Sequence, residues 1–157
     1  MTSETIRDHF GDLWPVHNRG FTLLLIKCRE LCEGDLDQVL ILSAIGMRTL
    51  MNRRIDGLTY DEFLDGRRSA GVSRKINLQC IADGTGIPRE TVRRKIKCLM
   101  ARGWIEKESD GTLAVTARAA DELAPATQAT FDYLRDIANT VLSITSATDG
   151  TSRPTGR

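Results

Sequence analysis

Six basic side chains fall within one short stretch, Arg89, Arg93, Arg94, Lys95, Lys97 and Arg102, and Glu90 is the one acid among them. The basic side chains supply fixed cations and forked donors that match phosphate oxygens or the acceptor edges of bases. On one helix, such a row is costly in self-repulsion unless a polyanion compensates. Polyanion contact is the first chemistry the sequence suggests.

Other chemistries find weaker footing. His9 and His17 lie near the start of the chain, and no nucleophile–histidine–acid arrangement accompanies them. Asp83-Gly84-Thr85-Gly86 has the glycines of a phosphate loop but lacks its Lys-Ser/Thr. Asp61, Glu62 and Asp65 read as a solvated first-turn cluster. Cys28 and Cys32 lie four apart, one helical turn, whereas Cys80 and Cys98 stand alone. No second pair of Cys or His completes a zinc pattern. The four are expected to be small buried hydrophobes, with a redox or metal sensor as the alternative. Neither catalysis nor a cofactor is expected.

The chain has 157 residues and a net charge of +1, which hides a strong asymmetry. Residues 67–107 carry 11 basic and 3 acidic side chains, while both flanks are net negative. A polyanion-binding segment inside an ordinary globular protein fits that distribution. Hydrophobic residues at 41% and charged residues at 27% place the chain in the globular range. The first twelve residues hold no apolar run, and Val39 to Met47, interrupted by Ser43 and Gly46, is too short for a membrane span. A cytoplasmic protein with reduced cysteines is the expectation.

The elements that must carry these cations follow from periodicity and caps. Residues 1–16 read as irregular, with Pro15 breaking any helix near Trp14. Phe21, Leu24, Leu25, Cys28, Leu31 and Cys32 recur at helical spacing, which predicts a helix from 17 to 33 closed by Gly34. Asp35 caps a second, from 36 to about 54. Thr59 and Glu62 form a capping box for a short helix over 60–65. Residues 66–75 form a basic connector. Asn77 is the expected N-cap of a helix over 78–84. A turn at Thr85-Gly86-Ile87 follows, and Pro88 opens a helix that Gly103 ends near Arg102. Val92, Ile96, Leu99 and Met100 make its buried stripe. After Gly103 the period changes to two: 104–108 and 112–116 read as strands joined at Ser109-Asp110-Gly111. Thr116 caps a helix over 117–124 that Pro125 breaks. An amphipathic helix fills 126–145, and 146–157 reads as a disordered tail.

Helix, turn, basic helix and two-stranded hairpin is the order of a winged helix. Residues 76–116 resemble the winged helix-turn-helix of bacterial transcription regulators, the MarR-like group and the DNA-binding domain of catabolite-activator-type regulators. The resemblance rests on Ile81-Ala82, Thr85-Gly86-Ile87, Arg89 to Arg94, Leu99, Gly103-Trp104-Ile105, Asp110-Gly111 and Leu113, about a quarter of the chain. Pro88 departs from it, because Ser or Thr is common there.

The resemblance implies a mainly α fold with a small β-hairpin wing and additional terminal helices. It implies sequence-specific binding of double-stranded DNA by a homodimer. Helix 88–102 would enter the major groove, and wing 104–116 would lie on the backbone or in the minor groove. Arg89, Glu90, Arg93 and Arg94 then face base edges, with Lys97 further along. Glu90 either accepts from a cytosine or orients Arg93 or Arg94. Thr91 and Lys97 suit phosphate. Lys107 and Ser109 reach from the wing, and Arg67, Arg68, Arg74 and Lys75 add contacts from the connector. The domain division expected is 1–66 (dimerisation and a possible effector), 67–116 (DNA binding), 117–145 (dimerisation) and a tail. Two other readings stay open: a winged-helix module for protein interaction or replication, and a ligand- or redox-sensing regulator that uses Cys28 and Cys32.

Overall fold

A computed structural model of the chain describes residues 2–51, 57, 59–62, 76–109 and 111–151. The described part is mainly helical with one two-stranded antiparallel sheet. It divides into two compact units, with boundaries at Glu30 and Pro125. The first unit comprises helix α1 (Ser3–Asp8), nearly all of α2 (Phe10–Leu31) and α7 (Ala124–Thr151). The second comprises α3 (Leu36–Met51), α4 (Leu78–Thr85), α5 (Arg89–Ala101), β1 (Ile105–Lys107), β2 (Leu113–Val115) and α6 (Ala117–Glu122). The division therefore does not coincide with the one expected at residues 66 and 116, because α3 shares a core with the basic helix.

That core is continuous. Ile41, Leu42 and Ile45 of α3 meet Ile81 and Ala82 of α4, Val92, Ile96 and Leu99 of α5, and Trp104, Ile105 and Leu113 of the hairpin. Because α3 is apolar over much of its circumference, the sequence leaves open which side is covered. Ile41 and Ile45 are fully enclosed, whereas Leu36, Leu40 and Met47 are exposed.

Local chemistry sets the boundaries of these elements. Asn77 has extended backbone, and its Oδ1 accepts from the Cys80 amide at 3.0 Å, so it caps α4. Gly86 ends α4 with φ of 71°, a left-handed conformation that costs glycine nothing. Pro88 opens α5 without any side-chain cap. Thr59 and Glu62 form the capping box in both directions, with Thr59 N donating to Glu62 Oε2 at 2.8 Å and Glu62 N to Thr59 Oγ1 at 3.3 Å. Thr116 caps α6 through the Ala119 amide at 3.1 Å. β1 and β2 pair with Ile105 opposite Val115 and Lys107 opposite Leu113.

Both termini differ from expectation. Ser3–Asp8 and Phe10–Leu31 are helical where residues 1–16 read as irregular, and Pro15 lies inside α2. Proline removes one backbone donor and crowds the carbonyl four residues back. Here that residue is Gly11, in the first turn, and a ladder of rings offsets the loss: Phe10 stacks on Trp14 at 5.1 Å and His17 on Phe21 at 5.5 Å. At the other end, α7 begins at Ala124, takes Pro125 into its first turn and runs to Thr151, so residues 146–151 are helix rather than tail. Ser146 Oγ bonds back along the helix to the Leu142 carbonyl at 2.8 Å, as Thr145 Oγ1 does at 3.0 Å. In this first unit Leu13 and Ile144 are buried, His17 Nδ1 lies 2.7 Å from the Tyr133 hydroxyl, and Gly20 faces the Tyr133 ring. A Cβ at Gly20 would stand 2.4 Å from that ring, so only glycine permits the approach.

The cysteines are not uniformly buried. Cys32 is in the core, Cys28 and Cys80 are half-buried, and Cys98 is exposed on α5. Burial pushes the Cys28 thiol up, away from the thiolate form that redox chemistry uses. Among the described residues, no helix is long and apolar enough to cross a membrane.

The shared core gives the first prediction. Ile41→Ala removes three carbons from a fully enclosed site and is expected to cost about 2–5 kcal/mol, read as a lower urea midpoint at unchanged slope. An unchanged midpoint would mean that α3 is not part of the cooperative unit.

Candidate nucleic-acid interface

Burial of Val92, Ile96 and Leu99 fixes the rotation of α5 and so decides which cations face out. Arg89, Arg93 and Lys97 follow one another at successive turns. They line a cleft of about 510 Å³ together with Asn77, Leu78 and Gln79 at the start of α4 and Lys107 and Leu113 of the hairpin. No carboxylate is among its described lining residues. The structure thus brings together Arg89, Arg93, Lys97 and Lys107. Arg94 is exposed but does not line the cleft, Thr91 is half-buried, and Ser109 is exposed beyond β1. Arg67, Arg68, Arg74 and Lys75 lie outside the described residues, as does Asp110.

Met100 is a correction. It reads as part of the buried stripe, yet it is 39% exposed and lies at the cleft. One residue beyond Leu99 turns it about 100° around the helix, away from the core. Sequence reasoning also missed Asn77 and Gln79 as cleft residues. The cap at Asn77 is a signal for Gln79, since it places that side chain on the exposed first turn of α4. Gln79 Nε2 there donates to Asp83 Oδ1 at 2.7 Å.

The cations of α5 are not unopposed. Glu90 accepts from Arg93 through both carboxylate oxygens: Nε donates at 3.0 and 2.9 Å, and Nη2 adds a short contact to Oε1. Of the alternatives the sequence leaves for Glu90, this is the orienting one in the free chain. The bond from Arg93 holds the Glu90 carboxyl below its ordinary range and raises the guanidinium in turn. Lys95 reaches Asp35 in a short contact and lies 3.9 Å from Asp37. Arg102 lies 3.5 Å from Glu33 and 3.7 Å above the Trp104 ring. Arg89, Arg94 and Lys97 have neither a hydrogen bond nor an ion pair with any described residue.

The hairpin is anchored at its base. Trp104 is fully buried, and its Nε1 donates to Glu122 Oε2 at 2.7 Å. Arg118 Nε donates to the other oxygen of Glu122 at 2.6 Å; these bonds, that of Arg118 first, hold the Glu122 carboxyl below its usual range. Gly111, with φ of 88°, supplies the left-handed residue of the loop, and Glu108 N donates to the Thr112 carbonyl at 2.8 Å.

In the first unit a cleft of about 700 Å³ runs between α2 and α7. Its Arg135 is already paired with Asp132 and Asp136 at 2.8 and 3.1 Å, which leaves Arg19 as the other cation among its described lining residues. No group of three or more metal-binding side chains occurs among the described residues.

The Glu90–Arg93 contact predicts a titration. Glu90 has a depressed pKa, so the pair is intact above the ordinary glutamate range and opens as pH falls through the depressed value. Carboxyl carbon NMR is expected to place the Glu90 midpoint below that of a free glutamate, and Arg93→Gln is expected to raise it. A midpoint indifferent to Arg93→Gln would mean that the contact is not made in solution. Comparison with known protein families, with curated proteins and with solved structures returns no match for this chain.

Proposed function

We propose that the protein is a transcription regulator that binds double-stranded DNA sequence-specifically as a homodimer. The observation that carries this reading is the row Arg89, Arg93 and Lys97, one turn apart on the exposed side of α5, facing Lys107 across a cleft with no carboxylate among its described lining residues. In a winged helix the second helix of the helix-turn-helix enters the major groove by its N-terminal end. The order α3, α4, Gly86 turn, α5 and β1–β2 suits that arrangement, with α5 as the recognition helix and the hairpin as the wing. Arg93 and Arg94 then read base edges, Arg89 and Glu90 flank them, and Thr91, Lys97, Lys107 and Ser109 hold the backbone.

Dimerisation draws support from the first unit. Trp14, Leu23 and Ile26 of α2 and Leu134 and Leu142 of α7 are each about half exposed. Apolar side chains gathered on two long helices are what an interface between copies would cover. A dimer also accounts for reading two half-sites, as a single recognition helix covers only a few base pairs.

Selection from random duplexes at about 150 mM salt tests the proposal. The expected product is an inverted repeat with half-sites about 10 base pairs apart. Arg93→Ala and Arg94→Ala are each expected to lower affinity for that repeat roughly 5- to 150-fold, with the fold retained by circular dichroism. Recovery of no motif, with unchanged binding in both variants, would refute the reading and favour a winged-helix module that contacts protein.

A further inference from the structure

We propose that Lys95 is a positioning residue, which α3 holds through Asp35 so that α5 presents its outward cations at a fixed attitude, and that it makes no contact with DNA. This rests on the DNA-binding reading above and assigns a different job to one of the helix's own cations.

The geometry separates Lys95 from its neighbours. Its side chain is 15% exposed, against 49% for Arg93. It points toward the start of α3, where Asp35 accepts from it and Asp37 stands within 3.9 Å. Asp35 is itself held in place, because it caps α3 by accepting from the Gln38 amide at 3.4 Å and from Gln38 Nε2 at 3.1 Å. An anion fixed by its own cap makes a rigid anchor.

A second tie runs beside it. Arg102, seven residues or two turns along from Lys95, lies 3.5 Å from Glu33 and stacks over Trp104. Glu33 has φ of 54° and is followed by Gly34 at 90°, so two successive left-handed residues turn the chain just before α3, where Glu33, Asp35 and Asp37 stand beside Lys95 and Arg102. A left-handed non-glycine residue is uncommon and is kept only where its surroundings enforce it. The corner thus grips α5 at two points, opposite in role to Arg89, Arg93 and Lys97.

A phosphate contact and a pin differ in sign. Asn caps helices as well as Asp does, so Asp35→Asn removes the charge but keeps the cap. Were Lys95 a phosphate contact, Asp35→Asn would free it and tighten binding to random duplex, and Lys95→Met would flatten the log–log salt slope by about 0.9. As a pin, Lys95→Met and Asp35→Asn are each expected to lower the ratio of operator to random binding roughly 2- to 30-fold, with salt slope unchanged. The double variant is expected to be no worse than either single one, and Lys95→Arg to retain the ratio. Lys97→Met serves as the control whose slope does fall. A flattened slope in Lys95→Met, or an unchanged ratio in both single variants, overturns the proposal.

Failure of the DNA reading is separable, because the wild-type chain would then prefer no duplex sequence over random duplex and there would be no ratio to lower. In that case the backbone amides of Arg89 to Lys97 still report the pin in the free chain. Matching shift changes in Lys95→Met and Asp35→Asn mean that the helix has moved as proposed, and changes confined to the substituted sites overturn it.

Discussion

Burial of three side chains, Val92, Ile96 and Leu99, governs the rest of this structure. With that stripe against α3 and α4, the rotation of α5 is fixed, and every polar side chain on it is assigned a direction. Arg89, Arg93 and Lys97 go to the cleft, Lys95 to the corner before α3, and Arg102 to Trp104. A slip of one residue would turn the helix by about 100°. It would turn Arg93 and Lys97, or in the other direction Lys95, toward Ile41 and Ile45, at the cost of burying their charge. The apolar pattern is thus what gives the charge pattern its meaning.

The same point explains why parts of the fold were legible in the sequence. Asn77, the Thr59–Glu62 box and Thr116 act within four residues, so their hydrogen bonds are implied wherever the local backbone turns. The hairpin is equally local, since alternation and Gly111 announce it. Pro15 misled because a local rule met a compensation outside it: the stacked rings along α2 and the approach at Gly20 hold a helix that proline alone would end. The end of α7 misled for a related reason, as Ser143, Thr145 and Ser146 bond to carbonyls of their own helix.

The candidate site divides along the same line. Arg89, Arg93 and Lys97 could be grouped from a spacing of four, and Lys107 from the hairpin. Nothing in the spacing of α5 distinguishes Lys95, because its partner lies 60 residues away on another helix. Charge counted along the chain registers six cations against one acid. Charge counted in space adds Glu33, Asp35 and Asp37, all from the acidic flank. The lopsided sequence charge is therefore partly folded back on itself.

That correction bears on how the basic helix survives without a polyanion. From sequence alone, its self-repulsion calls for a ligand. In the structure Glu90 holds Arg93, and the corner acids stand beside Lys95 and Arg102, which leaves Arg89, Arg94 and Lys97 as the cations without a described partner. Exposed pairs of this kind contribute little each, but the Lys95 contact is largely shielded from water and is screened less by salt. Burying Asp35 opposes its ionisation, yet the bonds from Lys95 and Gln38 outweigh burial and hold its carboxyl below the usual range. The helix is accordingly formed and oriented before any partner arrives. Binding a polyanion would then neutralise outward cations without first ordering the helix that carries them.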